Sequence, residues 1–390
     1  MCWHANLLLS YVPRTVEKPG LLLIIILLSF ALPQSEVFAQ KENENVLLHP
    51  DKFYRKFFPN LKVKRDPPDS LYIRLYPNYL STGLHILSPS IGTTISSRSS
   101  KANGVDASSK FKTNIFDIVG VSVSYRFVTA GFAFVTKSGM NMHDNYIPSR
   151  YRTLTIKYNR GPYVLQFKYL RIKGFTDINQ SNNNDPASVY VIRPDVTNRE
   201  YQFEGIYNFN WRKYSYVAPL NFSQRQVKSH WGILLKAGVY YNQFSGDSSL
   251  ISSRQMQYFD DFDDITELRS LSVRIAPGLG GTLVIARRFY LSATAFTSFD
   301  LFFYKYLKLP DEKTSGNQAF TLVIDGKVSL GYQSKRLYAG VRYEAERRNG
   351  ALKNIGVNAT YNYTGIELGY RFDAPKVVKK VYKKTMPPGM

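Results

Sequence analysis

The sequence has few cysteines and histidines, the residue types that build most disulfide and metal sites, and few tryptophans. Its 390 residues include one cysteine, three tryptophans and five histidines. The cysteine is Cys2, so the rest of the chain has no thiol for a disulfide framework or a thiolate metal site. Long apolar runs are scarce as well, and the mean hydropathy is -0.26. This excludes a bundle of membrane-spanning helices, each of which needs about 20 apolar residues.

Residues 1–39 have the organisation of an export signal. Arg14 and Lys18 precede an apolar run, Leu21–Leu32, and Val37–Ala39 then offers small-residue cleavage chemistry. The apolar run is too short for a helix that crosses a membrane. We predict that 1–39 is a cleaved signal peptide; the alternative is a retained anchor.

Acidic residues are too few to balance the basic ones. Lys and Arg number 51 and Asp and Glu number 29, which gives a formal net charge of +22. In a cytoplasmic protein this excess would favour nucleic acid as a partner, but we expect no nucleic acid for an exported chain. The expected counter-charges are lipid phosphates, outer-membrane lipopolysaccharide or an anionic solute.

Aromatic residues are abundant, and the chain alternates with a period of two. There are 29 Tyr and 25 Phe, as expected for a wall with aromatic girdles at both membrane–water interfaces. The odd positions of 119–127 are Val, Val, Val, Tyr and Phe, whereas the even positions are Gly, Ser, Ser and Arg. The same alternation marks 366–372. Such a pattern indicates strands with one apolar and one polar face.

The pattern predicts an all-β fold, a closed antiparallel transmembrane β-barrel of about 12 strands, within a range of about 10–14. Strands are expected near 82–96, 113–127, 129–137, 151–159, 163–173, 199–210, 230–243, 269–281, 288–303, 318–332, 336–345 and 363–372. Short and long connections alternate, as in outer-membrane barrels, whose periplasmic turns are short. The connection 211–229 breaks this rule, so we expect longer strands or a structured excursion there. The predicted domains are the signal peptide (1–39), a periplasmic lead-in (40–70), the barrel (71–372) and a basic periplasmic tail (373–390).

Two resemblances support this interpretation. The last strand, Gly365–Phe372, resembles the terminal signal that the barrel assembly machinery recognises, which implies that machinery as a partner during insertion. The stretches 76–78, 209–216 and 224–229 resemble an uncharacterised Bacteroidota envelope family with a domain of unknown function (DUF4421-like). That resemblance implies an outer-membrane β-barrel in the bacterial cell outer membrane and no established activity. An envelope protein is a further candidate partner.

The predicted polar faces carry charged side chains that we assign to the lumen. Inward placement is favoured because Arg or Lys facing lipid near the midplane costs about 2–4 kcal/mol. Two interpretations remain open. The charges pair and plug a narrow barrel, or the basic groups outnumber the acids and select anions in a narrow pore. The residues are Arg126, Lys168, Glu204, Arg274, Arg342, Glu344, Glu367 and Arg371.

Few residues suggest a catalytic or metal-binding site. We therefore predict a non-catalytic structural or interaction protein, or a narrow pore, with no cofactor. The alternative function is an outer-membrane lipid hydrolase or acyltransferase, in which His85 and Ser88 would form a Ser–His pair. A candidate calcium site is the acidic cluster at 258–264, where carboxylates could supply hard oxygen ligands. Its residues are Asp260, Asp261, Asp263 and Asp264.

Overall fold

The computed structural model describes residues 67–99, 107–135, 147–179, 189–253, 255–259, 262, 264–308, 314–352 and 355–385. The predicted signal peptide, most of the predicted lead-in, and Asp260, Asp261 and Asp263 lie outside the described residues.

The described chain folds into fifteen strands, two α-helices and one 3-10 helix. The strands are β1 (Ile73–Leu75), β2 (Tyr79–Ser97), β3 (Ser108–Lys112), β4 (Ile118–Tyr125), β5 (Val128–Phe134), β6 (Arg150–Arg160), β7 (Tyr163–Asn179), β8 (Val189–Asn208), β9 (Gln224–Gln226), β10 (His230–Ser245), β11 (Ile265–Ile285), β12 (Phe289–Lys308), β13 (Thr314–Gln333), β14 (Leu337–Leu352) and β15 (Ile355–Asp373). The helices are α1 (Ala218–Asn221), α2 (Lys376–Thr385) and the 3-10 helix Met256–Tyr258.

Twelve of these strands form one antiparallel barrel, in the cyclic order β2-β4-β5-β6-β7-β8-β10-β11-β12-β13-β14-β15. The circle is completed by β15, which pairs along its whole length with β2. The prediction of a closed barrel is therefore confirmed, including the number of strands. Closure matters physically because a strand with two neighbours leaves no free edge for another chain to pair with.

Parts of the wall differ from the sequence prediction. The predicted strand 113–127 is shortened to β4, and a separate strand, β3, lies just before it in a stretch predicted as a connection. β3 continues the wall beyond the ends of the short strands β4–β6 and pairs with β2 and β7. The predicted loop 346–362 is mostly strand, since β14 and β15 pair as far as Leu352 and Ile355. Residues 346–349 are polar on both faces, so they carry no hydrophobic period that would have revealed the strand.

The outer face of the barrel is apolar and the inner face is polar. Along β12, exposed and buried positions alternate. Leu291 and Phe299 are 41% and 47% exposed, whereas Ser298 and Asp300 between and beside them are buried. This inverts the arrangement in a soluble protein and is the arrangement expected of a wall surrounded by hydrocarbon.

The two ends of the barrel differ. At the proximal end, where β2 begins and β15 ends, the connections are short, for example 286–288 between β11 and β12, except for the long connection between β8 and β10. At the distal end, buried aromatic side chains meet inside the wall. The rings of Phe111, Phe175 and Phe244 lie 5.2–6.5 Å apart, and Phe259 and Phe262 are also buried. We call these five residues the distal cluster; they belong to one buried hydrophobic cluster at the distal end.

Helix α2 packs against the proximal rim. Its Tyr382 lies edge-to-face on Tyr125, with ring centroids 5.2 Å apart, and Val378 packs into the same cluster. The outward-facing Val377 and Val381 stay exposed. No helix within the described part of the chain is long and apolar enough to cross a membrane.

Candidate functional site

The connection between β8 and β10 enters the barrel. Within it, Tyr214–Ser223 includes α1, and only Leu220 of these residues is not buried. On one side, the Asn221 side-chain amide donates to Thr129 Oγ1 of β5 at 3.1 Å. On the other side, Tyr216 packs on Phe296 of β12, 6.4 Å between ring centroids. A segment that touches opposite walls lies inside the bore, so we call Tyr214–Ser223 the plug.

The backbone of the plug is bonded to the barrel wall. Gln333 Nε2 donates to the Ala218 carbonyl at 2.8 Å, and Asn208 Nδ2 donates to the Tyr214 carbonyl at 2.8 Å. Below the plug, β1 and β9 form a small antiparallel sheet. Buried backbone groups need hydrogen-bond partners, and these contacts let an irregular segment occupy a buried position.

Two glycines make room for Tyr214. A Cβ at Gly280 would lie 2.3 Å from Tyr214 Oη, and one at Gly232 would lie 2.8 Å from Tyr214 Cδ1. Real Cβ atoms do not approach other atoms so closely. Both wall positions beside Tyr214 therefore require glycine, because any other residue would place its Cβ on the tyrosine.

Arg371 holds the C-terminal end of the plug. Its Nε and Nη2 donate to the Phe222 carbonyl at 3.1 and 2.8 Å, and its Nη1 donates to the Ser334 carbonyl at 2.8 Å. The Phe222 ring stacks on Tyr338 with centroids 4.2 Å apart. Phe222 has a φ of 54°, a strained backbone for a bulky residue, and the Arg371 bonds hold it there.

Ion pairs cross the middle of the bore. Lys236 Nζ of β10 lies 2.5 Å from Asp325 Oδ2 of β13. Arg348 of β14 lies 2.6 Å from Glu200 of β8, and these strands are on nearly opposite sides of the barrel. Each pair bridges strands that are not neighbours, so the bonds run through the space that a channel would need.

Arg274 of β11 also bridges distant strands. Its guanidinium lies 2.9 Å from Glu346 of β14 and 3.1 Å from Asp300 of β12, and it is 1% exposed. It also stacks over the Tyr240 ring, 4.0 Å from the centroid. A planar, five-donor group can serve two carboxylates and a ring at once, which a lysine could not.

A cavity of about 150 Å³ lies above the plug, lined by Leu220 and Asn221 of the plug. Around it, Arg342 lies 3.3 Å from Glu367, and Lys327 lies 3.3 Å from Glu344. Lys157 and Lys168 complete the charged wall. The arrangement can hold water or a small ion, and the plug borders it on one side.

The predicted lumen residues fall into two groups. Lys168, Glu204, Arg274, Arg342, Glu344 and Glu367 lie on interior positions of their strands, and Arg371 binds the plug. The assignment of Arg126 to the lumen is wrong. It lies in the turn between β4 and β5 with a φ of 51° and donates to the Pro77 carbonyl at 3.3 Å, because the strand ends at Tyr125, two residues earlier than its alternation suggested.

Sequence reasoning missed several interior charges. Three of them continue a predicted face: Glu200 alternates in step with Glu204 on β8, and Glu346 and Arg348 follow Glu344 on β14. The other five lie on strands with no predicted lumen residue. With them, the bore between the plug and the distal cluster has seven basic and seven acidic side chains among the described residues, which favours the interpretation of paired charges over that of an anion-selecting pore. The missed residues are Lys157, Glu200, Lys236, Asp300, Asp325, Lys327, Glu346 and Arg348.

The proposed Ser–His pair is contradicted by the strand geometry. His85 faces the interior cavity, whereas Ser88 is exposed on the outer face of the same strand. Residues three apart on a strand point to opposite sides, so Ser88 cannot donate a proton to His85. The candidate calcium site is described only at Asp264, and no group of three or more His, Cys, Asp or Glu side chains in the described residues could hold a metal ion.

Comparison with known proteins gives the family. The family described as "Domain of unknown function (DUF4421)" matches residues 67–372. The chain belongs to this family. No curated protein matches the chain.

Several solved barrels are similar to this DUF4421 chain at low identity. The outer membrane protease OmpT from Escherichia coli is 12% identical with a TM-score of 0.38, covering 76% of this chain and 97% of that one. The translocator domain of the autotransporter NalP from Neisseria meningitidis is 13% identical with a TM-score of 0.35, covering 74% and 88%. An outer membrane channel from Pseudomonas putida F1 is 12% identical with a TM-score of 0.35, covering 79% and 100%.

Proposed function

We propose that this chain is a non-catalytic barrel of the bacterial outer membrane whose bore is closed at rest, and that it serves as a structural or interaction protein. The single observation that carries the proposal is the filled bore: the plug reaches opposite walls, and the ion pair between Arg348 and Glu200 spans the barrel above it. The exposed apolar wall supports the membrane location.

The closed bore argues against a permanently open pore. Water-filled channels need an uninterrupted polar path, whereas here the plug lies across the bore from β5 to β12 and the cross-bore pairs narrow the bore above it. A narrow pore that opens when the plug moves is the second candidate. It is favoured by the polar seating of the plug, since polar contacts can be exchanged for water.

The partners we propose are lipopolysaccharide at the outer wall, the barrel assembly machinery during insertion and an envelope protein at the proximal end. The last of these would meet α2, which carries lysines at 376, 379, 380, 383 and 384 and presents Val377 and Val381 to solvent. A basic helix with an exposed apolar stripe suits an acidic protein surface.

The test is conductance of the full chain folded into planar bilayers. We expect the parent to be silent and a variant in which 214–223 is replaced by a Gly-Ser segment of equal length to conduct. A matched control replaces 246–249, a distal connection that lies outside the plug, and should stay silent. A parent that conducts steadily would refute the closed bore. Turnover of labelled phospholipid that is lost in His85→Ala would instead establish the hydrolase.

A further inference from the structure

Five basic side chains lie together on the outer wall near the distal end. On neighbouring strands, Arg152 is directly opposite Arg171, and Arg171 is directly opposite Arg199; one step further along, Arg150 is opposite Lys173. Directly opposite residues point to the same side of a sheet, with Cβ atoms about 4.5–5.5 Å apart. We call Arg150, Arg152, Arg171, Lys173 and Arg199 the basic patch.

The patch faces outward. Leu154 on β6 and Tyr201 on β8 have the same parity as the patch residues on their strands, and they are 38% and 44% exposed. Glu200 and Gln202, which alternate with the patch on β8, are buried in the bore. The basic groups therefore point to the surroundings of the barrel and not to its interior.

No carboxylate of the three strands neutralises the patch. β6 contains no acidic residue. On β7, Asp177 is buried and accepts from the Lys110 amide. On β8, Asp195 pairs with Arg193, Glu200 with Arg348, and Glu204 accepts from Tyr240.

The next outward carboxylate along the same row is Glu267 on β11. It lies 2.6 Å from Arg269, accepts from Gln243 and also interacts with Arg199 at one edge of the patch, which leaves the other four basic residues without it. Within the patch, Nε of Arg171 is buried without a hydrogen-bond partner in the described structure. Like charges directly opposite each other on a sheet repel, so an anion bound from outside would stabilise the patch.

Aromatic rings mark the membrane depth of the patch. Two residues toward the proximal end of each strand, Tyr169, Tyr201 and Tyr241 form a row with centroids 5.1 and 6.2 Å apart. Phe167 and Phe203 follow them and are exposed. Tyr belongs at the interface between hydrocarbon and headgroups, which puts the patch at headgroup level.

We propose that the basic patch binds the headgroup of an anionic lipid that carries more than one phosphate, the chemistry of the outer-leaflet glycolipid. The inference rests on the proposed membrane location. The patch covers three strands, about 10 Å across, which is wider than a single phosphate. The tyrosines and phenylalanines beside it would contact the acyl chains, so the ligand is a lipid and not a free anion.

The test measures lipid binding to the full chain folded in detergent, by native mass spectrometry. The probes are diphosphoryl lipid A, the same lipid without phosphates, and inorganic phosphate. We expect the parent to bind diphosphoryl lipid A at least tenfold more tightly than the dephosphorylated lipid. Arg152→Gln/Arg171→Gln should lose that preference, and inorganic phosphate should not compete.

The matched control, Lys335→Gln/Arg347→Gln, removes two exposed charges elsewhere and should bind like the parent. Equal binding of both lipids by the parent, or unchanged binding by Arg152→Gln/Arg171→Gln, would refute the site. Competition by inorganic phosphate at equal concentration would identify a free-anion site and also refute it. Heat-modifiable migration on gels after insertion into vesicles separates the two proposals: a chain that does not insert overturns the membrane location, whereas an inserted chain without phosphate preference overturns only the patch.

Discussion

Replacing Arg371 by methionine should release the plug. The side chain is fully buried, and it gives two charge-assisted hydrogen bonds to the Phe222 carbonyl, at 3.1 and 2.8 Å. Hydrogen bonds to charged groups contribute about 1.5–3 kcal/mol each. Because two bonds to one carbonyl are not additive, the loss for the plug is about 3 kcal/mol. At about 1.4 kcal/mol per factor of ten, the ratio of open to closed plug should rise roughly 100-fold.

The assay is single-channel recording of Arg371→Met in planar bilayers, scored as the fraction of time spent in a conducting state. Arg336→Met is the control, because Arg336 pairs with Asp373 at 2.9 Å on the exposed proximal surface and touches no residue of the plug. Unfolding in urea should show that both variants remain folded. An Arg371→Met barrel that is folded and as silent as the parent would refute the assignment of Arg371 to the plug.

Three further perturbations follow from the interior contacts. Arg274→Met leaves Asp300 without its cation and Glu346 with Arg348 alone, and should lower the free energy of unfolding in lipid vesicles by about 3 kcal/mol; a loss below about 1 kcal/mol would contradict the network. Gly369→Ala places a Cβ 2.0 Å from the Tyr338 ring and should displace it from the plug and raise conductance, whereas Gly326→Ala meets only a carbonyl at 3.4 Å and should not. His85→Ala should leave phospholipid turnover at background, because Ser88 faces away from it.

The wall of the barrel could be predicted because its signal is local. A two-residue alternation such as that of 119–127 fixes which side chains share a face, whatever the partner strand is. The same rule was sufficient to reject the Ser–His pair, since His85 and Ser88 differ by an odd number. Where both faces are polar, as in 346–349, the alternation vanishes, and the strand beyond the apolar band could not be distinguished from a loop.

The plug could not be predicted from local pattern. The connection 211–229 was recognisable as unusually long. That it folds into the bore is decided by contacts with residues far away in sequence. Gln333 bonds Ala218 across 115 positions, and Arg371 bonds Phe222 across 149. Gly232 and Gly280 are signals only in retrospect, because a glycine on a strand can mark a bulge, a close approach or neither.

Cross-bore pairs are equally non-local. Lys236 and Asp325 are 89 positions apart, on strands separated by two others. The two-residue alternation of each strand assigns both side chains to the interior. The sequence prediction overlooked them because each stands singly among small and apolar residues. The alternation cannot show which strands face each other across the bore, because that depends on the number and tilt of the strands.

The interior charges lead to a final prediction about selectivity. The net charge of the chain is +22, yet the seven basic and seven acidic side chains between the plug and the distal cluster cancel. The excess therefore lies outside this part of the bore. A barrel with the plug replaced should conduct with little preference between potassium and chloride, and its reversal potential in a tenfold KCl gradient should lie near zero. A strongly chloride-selective reversal potential would show that the bore charges are not paired as they are in this structure, because selectivity needs an uncompensated ring of one sign.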